Sequence, residues 1–202
     1  MRIRPEQPLV LGSASPRRRE LLSLSGVPFV VAASNANESQ RVGEWPSNYL
    51  DRIALAKLEG VRALGIKEGS VILVADTIVV LADGSVLGKP PDEAGCLAML
   101  ARLQGKTHEV QTRFLLGGAG PGVPPLHAET VTTFVAFRQL TGDEMHAYAR
   151  TGEGLDKAGG YAVQGRAAVF VRRIEGSYTN VVGLPLCEVV TALDAIGWLP
   201  GR

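Results

Sequence analysis

The 202-residue chain contains 46% apolar and 20% charged residues and has a formal net charge of +1, a balance typical of globular rather than disordered proteins. So small a charge gives no global basic field for duplex nucleic acid or an anionic membrane, and any affinity for anions has to be local. The sequence also shows no long apolar signal segment and no window near the roughly 18 apolar residues of a membrane span. A cytoplasmic enzyme or binding protein is therefore expected.

The first chemical feature along the chain is a basic helix start that follows a short strand at 8–11. Ser15 can cap this helix and Pro16 can occupy its first position. The run of arginines at 17–19 then lies at the positive end of the helix dipole, which is unfavourable by some tenths of a kcal/mol for each cation. A bound phosphate would reverse the sign, with Ser13 and Ser15 adding hydroxyl donors. The alternative is an exposed basic turn.

Two further charged residues precede the centre of the chain. Glu38 lies in a polar stretch at 34–40 that predicts a loop at the edge of the sheet. Lys57 lies within residues 48–64, where apolar residues recur at helical spacing and predict an amphipathic helix. A lone lysine on such a helix is usually solvated, so neither residue indicates a function by itself.

The run Val71 to Leu81 is apolar except for one carboxylate, that of Asp76. A Val- and Ile-rich run of this kind is typical of a strand in the middle of a covered sheet. Burying an unpaired carboxylate costs about 2 kcal/mol or more, so Asp76 should have a cation, a metal or donors as partners. The alternative is a structural aspartate at a bend between two shorter strands. An Asp83-Gly84 turn then leads back through a short strand to Gly88-Lys89-Pro90.

The second half of the chain alternates strands and helices around one glycine-rich segment. Strands are expected at 108–116, 129–137 and 167–174, and helices at 91–103, 141–149 and 186–196. The segment 152–165 combines glycines with Glu, Asp, Lys and Gln, which indicates a loop whose backbone approaches a ligand. A plain flexible connector is the alternative.

Taken together, these stretches resemble the Maf family of nucleoside triphosphate pyrophosphatases, first associated with inhibition of septum formation. The resemblance covers nearly the whole chain and rests on ordered motifs at family-like separations. These motifs are LGSASPRRRELL at 11–22, ADTIV at 75–79, GKP at 88–90, HEVQT at 108–112, DKAG at 156–159, VQG at 163–165 and NVVGLPL at 180–186. Gly12 stands where many relatives have Ala, Arg19 lengthens the basic run, and the loop at 117–125 looks longer than usual.

The resemblance implies a fold and a reaction. The expected fold is α/β, as in the inosine triphosphate pyrophosphatases, with an elongated mixed β-sheet flanked by helices and two lobes around a nucleotide cleft. Residues 1–202 would form one Maf-like domain. The expected reaction is hydrolysis of a nucleoside triphosphate between its α and β phosphates, giving the monophosphate and pyrophosphate, with a divalent cation, Mg²⁺ or Mn²⁺.

Residue roles follow from the same resemblance. The implied catalytic residues are Asp76, Lys57 and Lys89, the implied substrate-binding residues are Ser13, Arg17, Arg18, Thr77, Lys157 and Gln164, and the implied metal ligands are Glu38 and Asp76. Such an inventory suits a triphosphate with about four negative charges and a cation held by one or two carboxylates. A free aspartate, with a pKa of about 3.9, is a poor base near neutrality. The roles of base and metal ligand therefore both stay open for Asp76.

The resemblance makes Arg17 one of the family's specificity positions. The branches of the family differ at Thr77, Lys157 and Gln164. All three match the branch directed at dTTP and UTP, with tolerance for modified pyrimidines, rather than the branch directed at 7-methyl-GTP. A non-catalytic nucleotide-sensing regulator of cell division is the alternative from another class. Nucleic acid is not expected as a partner because aromatic residues make up only 5% of the chain. A homodimer is one of the assemblies that the sequence leaves open.

Overall fold

The computed structural model describes residues 7–199, which form an α/β structure with a mixed seven-stranded sheet. The strands are β1 (Leu9–Leu11), β2 (Phe29–Val31), β3 (Val71–Val80), β4 (Val86–Leu87), β5 (Thr107–Gly118), β6 (His127–Phe137) and β7 (Val171–Glu175). The helices are α1 (Pro16–Ser23), α2 (Pro46–Arg62), α3 (Glu93–Leu103), α4 (Gly142–Ala149), α5 (Tyr178–Val182) and α6 (Leu186–Ala195). None of the helices in the described range is long and apolar enough to span a membrane.

Strand β3 lies in the interior of the sheet, as the sequence predicts. The strand order is β2-β1-β3-β5-β6-β7, and β4 pairs with β3 outside this path. β1 runs parallel to both β2 and β3, whereas β4 is antiparallel to β3 and β7 is antiparallel to β6. Every residue of β3 is buried except Thr77, which is half-buried. The single continuous strand rules out the alternative of a bend at Asp76.

The chain divides into two compact units, and each has its own core. The first unit comprises residues 1–76, 112–130 and 183–202, and the second comprises residues 77–111 and 131–182. In the first unit, Ala54, Leu58 and Val61 of α2 pack with buried residues of β1, β3 and β5. Since these residues recur at three- and four-residue spacing, they form one face of the helix. Lys57 lies on this same face.

In the second unit the core is richer in aromatic side chains. Phe137 of β6, Phe170 and Tyr161 pack with Tyr148 of α4, and their rings meet at 4.9–6.2 Å between centroids, mostly edge to face. Such aromatic pairs favour edge-to-face geometry because the ring edge is positive and the face negative.

The local expectations hold in most places. Ser15 caps α1 by accepting a hydrogen bond from the backbone N–H of Arg18, with proline at the first position. Helix α2 begins two residues before the predicted start. The strand expected at 167–174 is partly wrong, because Arg166–Phe170 forms a 3₁₀ helix before β7. Ala167 and Phe170, three residues apart, are both buried, and the 3₁₀ helix brings such positions to one side.

A fully buried asparagine ties α5 to the sheet of the second unit. The Nδ2 group of Asn180 donates to the carbonyl of Val110 at 2.9 Å, to that of Val131 at 3.2 Å and to Thr133 Oγ1 at 3.0 Å. Thr133 in turn donates to the carbonyl of Ser177. The first residue of the NVVGLPL motif therefore has a structural task, since buried carbonyls need donors.

We expect Asn180→Ala to lower the free energy of unfolding by about 2–4 kcal/mol, because buried acceptors lose their donor. Urea denaturation monitored by circular dichroism measures this change. Asn35→Ala, at an exposed position, serves as the control and should change the value by less than about 0.5 kcal/mol. A loss below about 1 kcal/mol in Asn180→Ala would contradict the structural role.

Candidate active site

The centre of the candidate site in the first unit is the buried carboxylate of Asp76. Its side chain is 11% exposed and forms an ion pair with Nζ of Lys57. The sequence predicts a partner for this charge, and the prediction is confirmed. A cation beside a buried carboxylate offsets part of the desolvation cost that the apolar strand imposes.

Lys57 brings a second carboxylate to the same place. Its Nζ lies 2.9 Å from Oε1 of Glu38, and the Lys57 side chain is only 10% exposed, whereas that of Glu38 is 44% exposed. Lys57 is therefore not the solvated lysine that is usual on an amphipathic helix. One buried ammonium group joins a buried and an exposed carboxylate, a group of three named here the acid-lysine cluster.

Tyr49 fixes the loop that carries Glu38, a role that sequence reasoning missed. Its hydroxyl donates to the backbone carbonyl of Glu38 at 2.7 Å. Burial raises the pKa of Tyr49 to about 12, and the carboxylates of Asp76 and Glu38 act in the same direction. The one available signal is its spacing, since Tyr49 precedes Leu50 and lies four residues before Ile53 on the buried face of α2.

The basic start of α1 contributes one guanidinium that is already held in place. Arg18 Nε donates to the carbonyl of Gly183 at 2.8 Å, and its Nη1 donates to Ser13 Oγ at 3.3 Å. Burial lowers the pKa of Arg18, and the charge of Arg17 adds to this effect, whereas the carboxylates of Asp76 and Glu38 oppose it. The carboxylates of the acid-lysine cluster therefore interact electrostatically with Arg18.

The three arginines at 17–19, for which the sequence leaves a phosphate site and an exposed basic turn open, differ in their exposure. Arg19 is exposed, as an ordinary basic turn would be, but Arg17 and Arg18 are half-buried and Ser13 is buried. The Ser15 hydroxyl is used as the helix cap. The Ser13 hydroxyl contacts an arginine side chain, that of Arg18.

The second unit carries the remaining predicted residues. Lys157 Nζ donates to the carbonyl of Glu153 at 2.6 Å and to Oδ1 of Asp156 at 2.5 Å. Lys89 and Gln164 are exposed and Thr77 is half-buried. The backbone N–H of Gly159 donates to the carbonyl of Gly88 at 3.0 Å. That bond connects the DKAG and GKP motifs.

The segment 152–165, named here the glycine-rich loop, is not a flexible connector. Tyr161, Gly159 and Gly160 are buried, and the Tyr161 hydroxyl lies 2.8 Å from Nε2 of His108. Gly159 has a φ of +73°, and a Cβ there would lie 2.8 Å from a methyl group of Val79. Glycine is needed at this position for both its conformation and its lack of a side chain.

His108 lies among the aromatic side chains of the second unit. In the sequence it is identified only as part of the HEVQT motif. This residue is only 2% exposed. Burial lowers the pKa of His108 to about 4, so the imidazole is neutral near pH 7. The HEVQT motif separates this histidine from His127 and His146, but nothing in the sequence indicates what it contacts.

The residues present fit a divalent cation that arrives with phosphate oxygens. Within residues 7–199 there is no group of three or more His, Cys, Asp or Glu side chains that could hold a metal. Glu38 and Asp76 nevertheless both contact the same Lys57 Nζ, which places two carboxylates near one point. Mg²⁺ commonly uses one or two carboxylates together with substrate phosphates and water.

Comparison with known proteins gives consistent matches along the chain. The sequence model of the family described as Maf-like protein matches residues 8–196. A protein of Geobacter sp. (strain M21) named dTTP/UTP pyrophosphatase is 48% identical over 191 residues, covering 95% of this chain and 96% of that protein. A protein of the same name from Burkholderia thailandensis is 45% identical over 202 residues, covering 95% and 94%. Another, from Moorella thermoacetica, is 47% identical over 190 residues, covering 94% and 95%.

We expect Lys57→Met to lower the free energy of unfolding by about 3 kcal/mol at pH 7, because Asp76 then stays buried without its cation. The double variant Lys57→Met/Asp76→Asn should recover most of this loss, since neither charge of the buried ion pair remains. Urea denaturation of both variants measures the coupling. Lys67→Met, at an exposed lysine, is the matched control. Equal losses in the single and double variants would show that the charge of Asp76 is not what Lys57 stabilises.

Acid should weaken the second unit through His108. Its pKa is about 4 in the folded protein and about 6.5 in an unfolded chain. The unfolded state therefore binds the proton first as the pH falls, and stability is lost between about pH 6.5 and 4, by about 3 kcal/mol in total. The free energies of unfolding of the wild type and of His108→Gln are measured from pH 7 to pH 4. As the pH falls, the wild type should lose more stability than the variant. A pH-independent difference would contradict this assignment.

Proposed function

Because the chain belongs to the Maf family, we propose that it is a nucleoside triphosphate pyrophosphatase that hydrolyses dTTP and UTP to the monophosphate and pyrophosphate. The relatives that carry this name match nearly the full length of both chains. The observation that carries the proposal is the acid-lysine cluster, in which one buried lysine joins a buried and an exposed carboxylate whose charges act on Arg18. Charged groups gathered in this way are frequent at functional sites.

The reaction transfers the nucleotidyl group of the substrate to water. A P–O bond forms between the water oxygen and the α phosphorus, the bond from the α phosphorus to the oxygen that bridges it to the β phosphorus breaks, and pyrophosphate leaves. Asp76 would orient the attacking water or accept its proton. Lys57, held between Asp76 and Glu38, would keep the carboxylate in position. Fixed groups of this sort contribute by alignment and by stabilising charge that develops in the transition state.

The triphosphate would be bound by the cationic residues that the family motifs share. Arg17, Arg18 and Ser13 would contact phosphate oxygens at the start of α1, where the helix dipole also favours anions. Lys89 of the GKP motif is proposed as a further phosphate contact on the family resemblance alone.

We further propose Mg²⁺ or Mn²⁺ as the cofactor, with Glu38 and Asp76 as its protein ligands. When bound, the cation would neutralise phosphate charge and polarise the reacting oxygen. Asp76 retains both of its roles in this scheme, as ligand and as proton acceptor.

Base selection is assigned to Thr77, Lys157 and Gln164. The Thr77 hydroxyl and the Gln164 amide carry both donors and acceptors, as does the imide edge of uracil and thymine. Their matching arrangement would favour UTP over CTP, whose exocyclic amine replaces a carbonyl. Sites built to hydrogen-bond a polar substrate group discriminate strongly against analogues that lack it.

Pyrophosphate release from dTTP, UTP, CTP, GTP and 7-methyl-GTP, each with Mg²⁺ or Mn²⁺, tests the proposal. We expect dTTP and UTP to be hydrolysed with the highest kcat/KM. Preference for 7-methyl-GTP would assign the chain to the other branch of the family. Nucleotide binding without release of pyrophosphate from any substrate would favour a nucleotide-sensing regulator instead.

Asp76→Asn separates catalysis from binding. We expect hydrolysis to fall by about 10²–10⁴-fold, the usual contribution of a positioned acid or base, while UTP binding by calorimetry stays within a few-fold. Asp194→Asn, at an exposed aspartate of α6, is the control and should leave both quantities unchanged. Full activity in Asp76→Asn would remove this residue from the mechanism.

A further inference from the structure

The glycine-rich loop carries two of the proposed base-selecting residues, and it is fixed at a point between them. Lys157 lies four residues before Tyr161, and Gln164 lies three residues after it. Tyr161 is only 6% exposed, whereas Lys157 is half-buried and Gln164 is exposed. The loop therefore has a buried anchor, and its two selecting residues lie on either side of that anchor.

The anchor ends in one hydrogen bond to a histidine. The Tyr161 hydroxyl and His108 Nε2 are 2.8 Å apart, and the two rings meet edge to face at 5.5 Å between centroids. Phe137 makes edge contacts with both rings, at 5.1 Å from His108 and 4.9 Å from Tyr161. Three rings thus enclose a single polar contact.

An imidazole in this place is not required for packing. His108 Nδ1 is buried and has no hydrogen-bond partner within the described residues, although buried polar atoms are normally paired. A phenylalanine would fill the space without an unpaired nitrogen. What the imidazole adds is the hydrogen bond to Tyr161, which attaches the tyrosine hydroxyl to strand β5.

Other hydrogen bonds attach the backbone beside Tyr161 to the rest of the second unit. The backbone N–H of Ala162 donates to the Tyr148 hydroxyl at 3.0 Å. Gly160 accepts from the Cys96 thiol at 3.3 Å, and Gly159 donates to the carbonyl of Gly88. Each of these bonds involves a residue within two positions of Tyr161. A shift of Tyr161 would consequently displace the backbone that leads to Lys157 on one side and to Gln164 on the other.

We propose that His108 is a positioning residue that sets the glycine-rich loop through its hydrogen bond to Tyr161, and thereby sets the selectivity of Lys157 and Gln164 for the pyrimidine base. This inference rests on the proposed function, because it concerns the substrate of the same site. It gives a role to the HEVQT motif, whose histidine touches neither phosphate-binding nor base-selecting residues among the contacts described. Small displacements of positioning groups are known to have large effects on selectivity and rate.

The test compares His108→Phe, Tyr161→Phe and the double variant with the conservative variant His108→Gln. Glutamine can place an amide group near the position of imidazole Nε2 and so retain a hydrogen bond to Tyr161. Tyr178→Phe, at an exposed tyrosine, is the matched control. Folding of every variant is checked by urea denaturation before kinetics are measured.

Selectivity is read as the ratio of kcat/KM for UTP to that for CTP. We expect this ratio to fall about tenfold in His108→Phe and Tyr161→Phe, mainly through KM for UTP, and to stay near the wild-type value in His108→Gln. The double variant has no unpaired group at this contact. It should therefore regain stability relative to either single variant while remaining unselective, an outcome that a purely structural role for His108 does not produce.

Two further measurements do not depend on turnover. Hydrogen exchange of peptides from 152–165 should be faster in His108→Phe and unchanged in His108→Gln. Binding of α,β-methylene UTP and its cytidine counterpart should show the same loss of preference as the kinetics. A wild-type ratio maintained in folded His108→Phe, or lost equally in His108→Gln, would overturn the inference. A wild type that binds the uridine analogue selectively without hydrolysing UTP would refute the proposed function and leave the role of His108 to be decided by exchange and binding.

Discussion

The ion pair between Lys57 and Asp76 is the interaction on which the candidate site depends. β3 can be continuous and buried only because the charge of Asp76 has a cation beside it, since an isolated carboxylate in such a strand would cost several kcal/mol. The lysine is itself buried, and a second carboxylate, that of Glu38, reaches it from a more exposed position. The strand, helix α2 and the loop at 34–40 are therefore coupled by charge as well as by packing.

The second unit achieves precision by a different means. Its glycine-rich loop lacks a regular strand or long helix, yet glycines with positive φ let its backbone pack closely on Val79 and on the GKP turn. Hydrogen bonds with the side chains of Tyr148 and His108 then fix the loop at Ala162 and Tyr161. Loops that carry selective side chains need this kind of support, because an unsupported loop does not hold polar groups to hydrogen-bonding accuracy.

Sequence patterns predicted the features that depend on local chemistry. The cap at Ser15, the buried strand at 71–81 and the need for a partner at Asp76 follow from spacing and from desolvation, and all three are present. The patterns could not identify that partner, because Lys57 meets Asp76 only through packing of α2 on the sheet. The roles of Tyr49 and His108 were missed for the same reason. The 3₁₀ helix at 166–170 shows the converse error, since the strand expected from residue 167 begins only at Val171.

Charge balance explains why this site would need more than its own side chains to hold a triphosphate. Lys57 and Arg18 together offset the charges of Glu38 and Asp76, so these four groups present little net positive charge. Lys57 is already engaged by both carboxylates, and Arg18 is already bonded to Ser13 and to the Gly183 carbonyl. Additional phosphate charge near two carboxylates is therefore accommodated best when further positive charge is close by. Arg17 would supply part of this charge, and a divalent cation held by Glu38 and Asp76, as proposed above, would supply the rest.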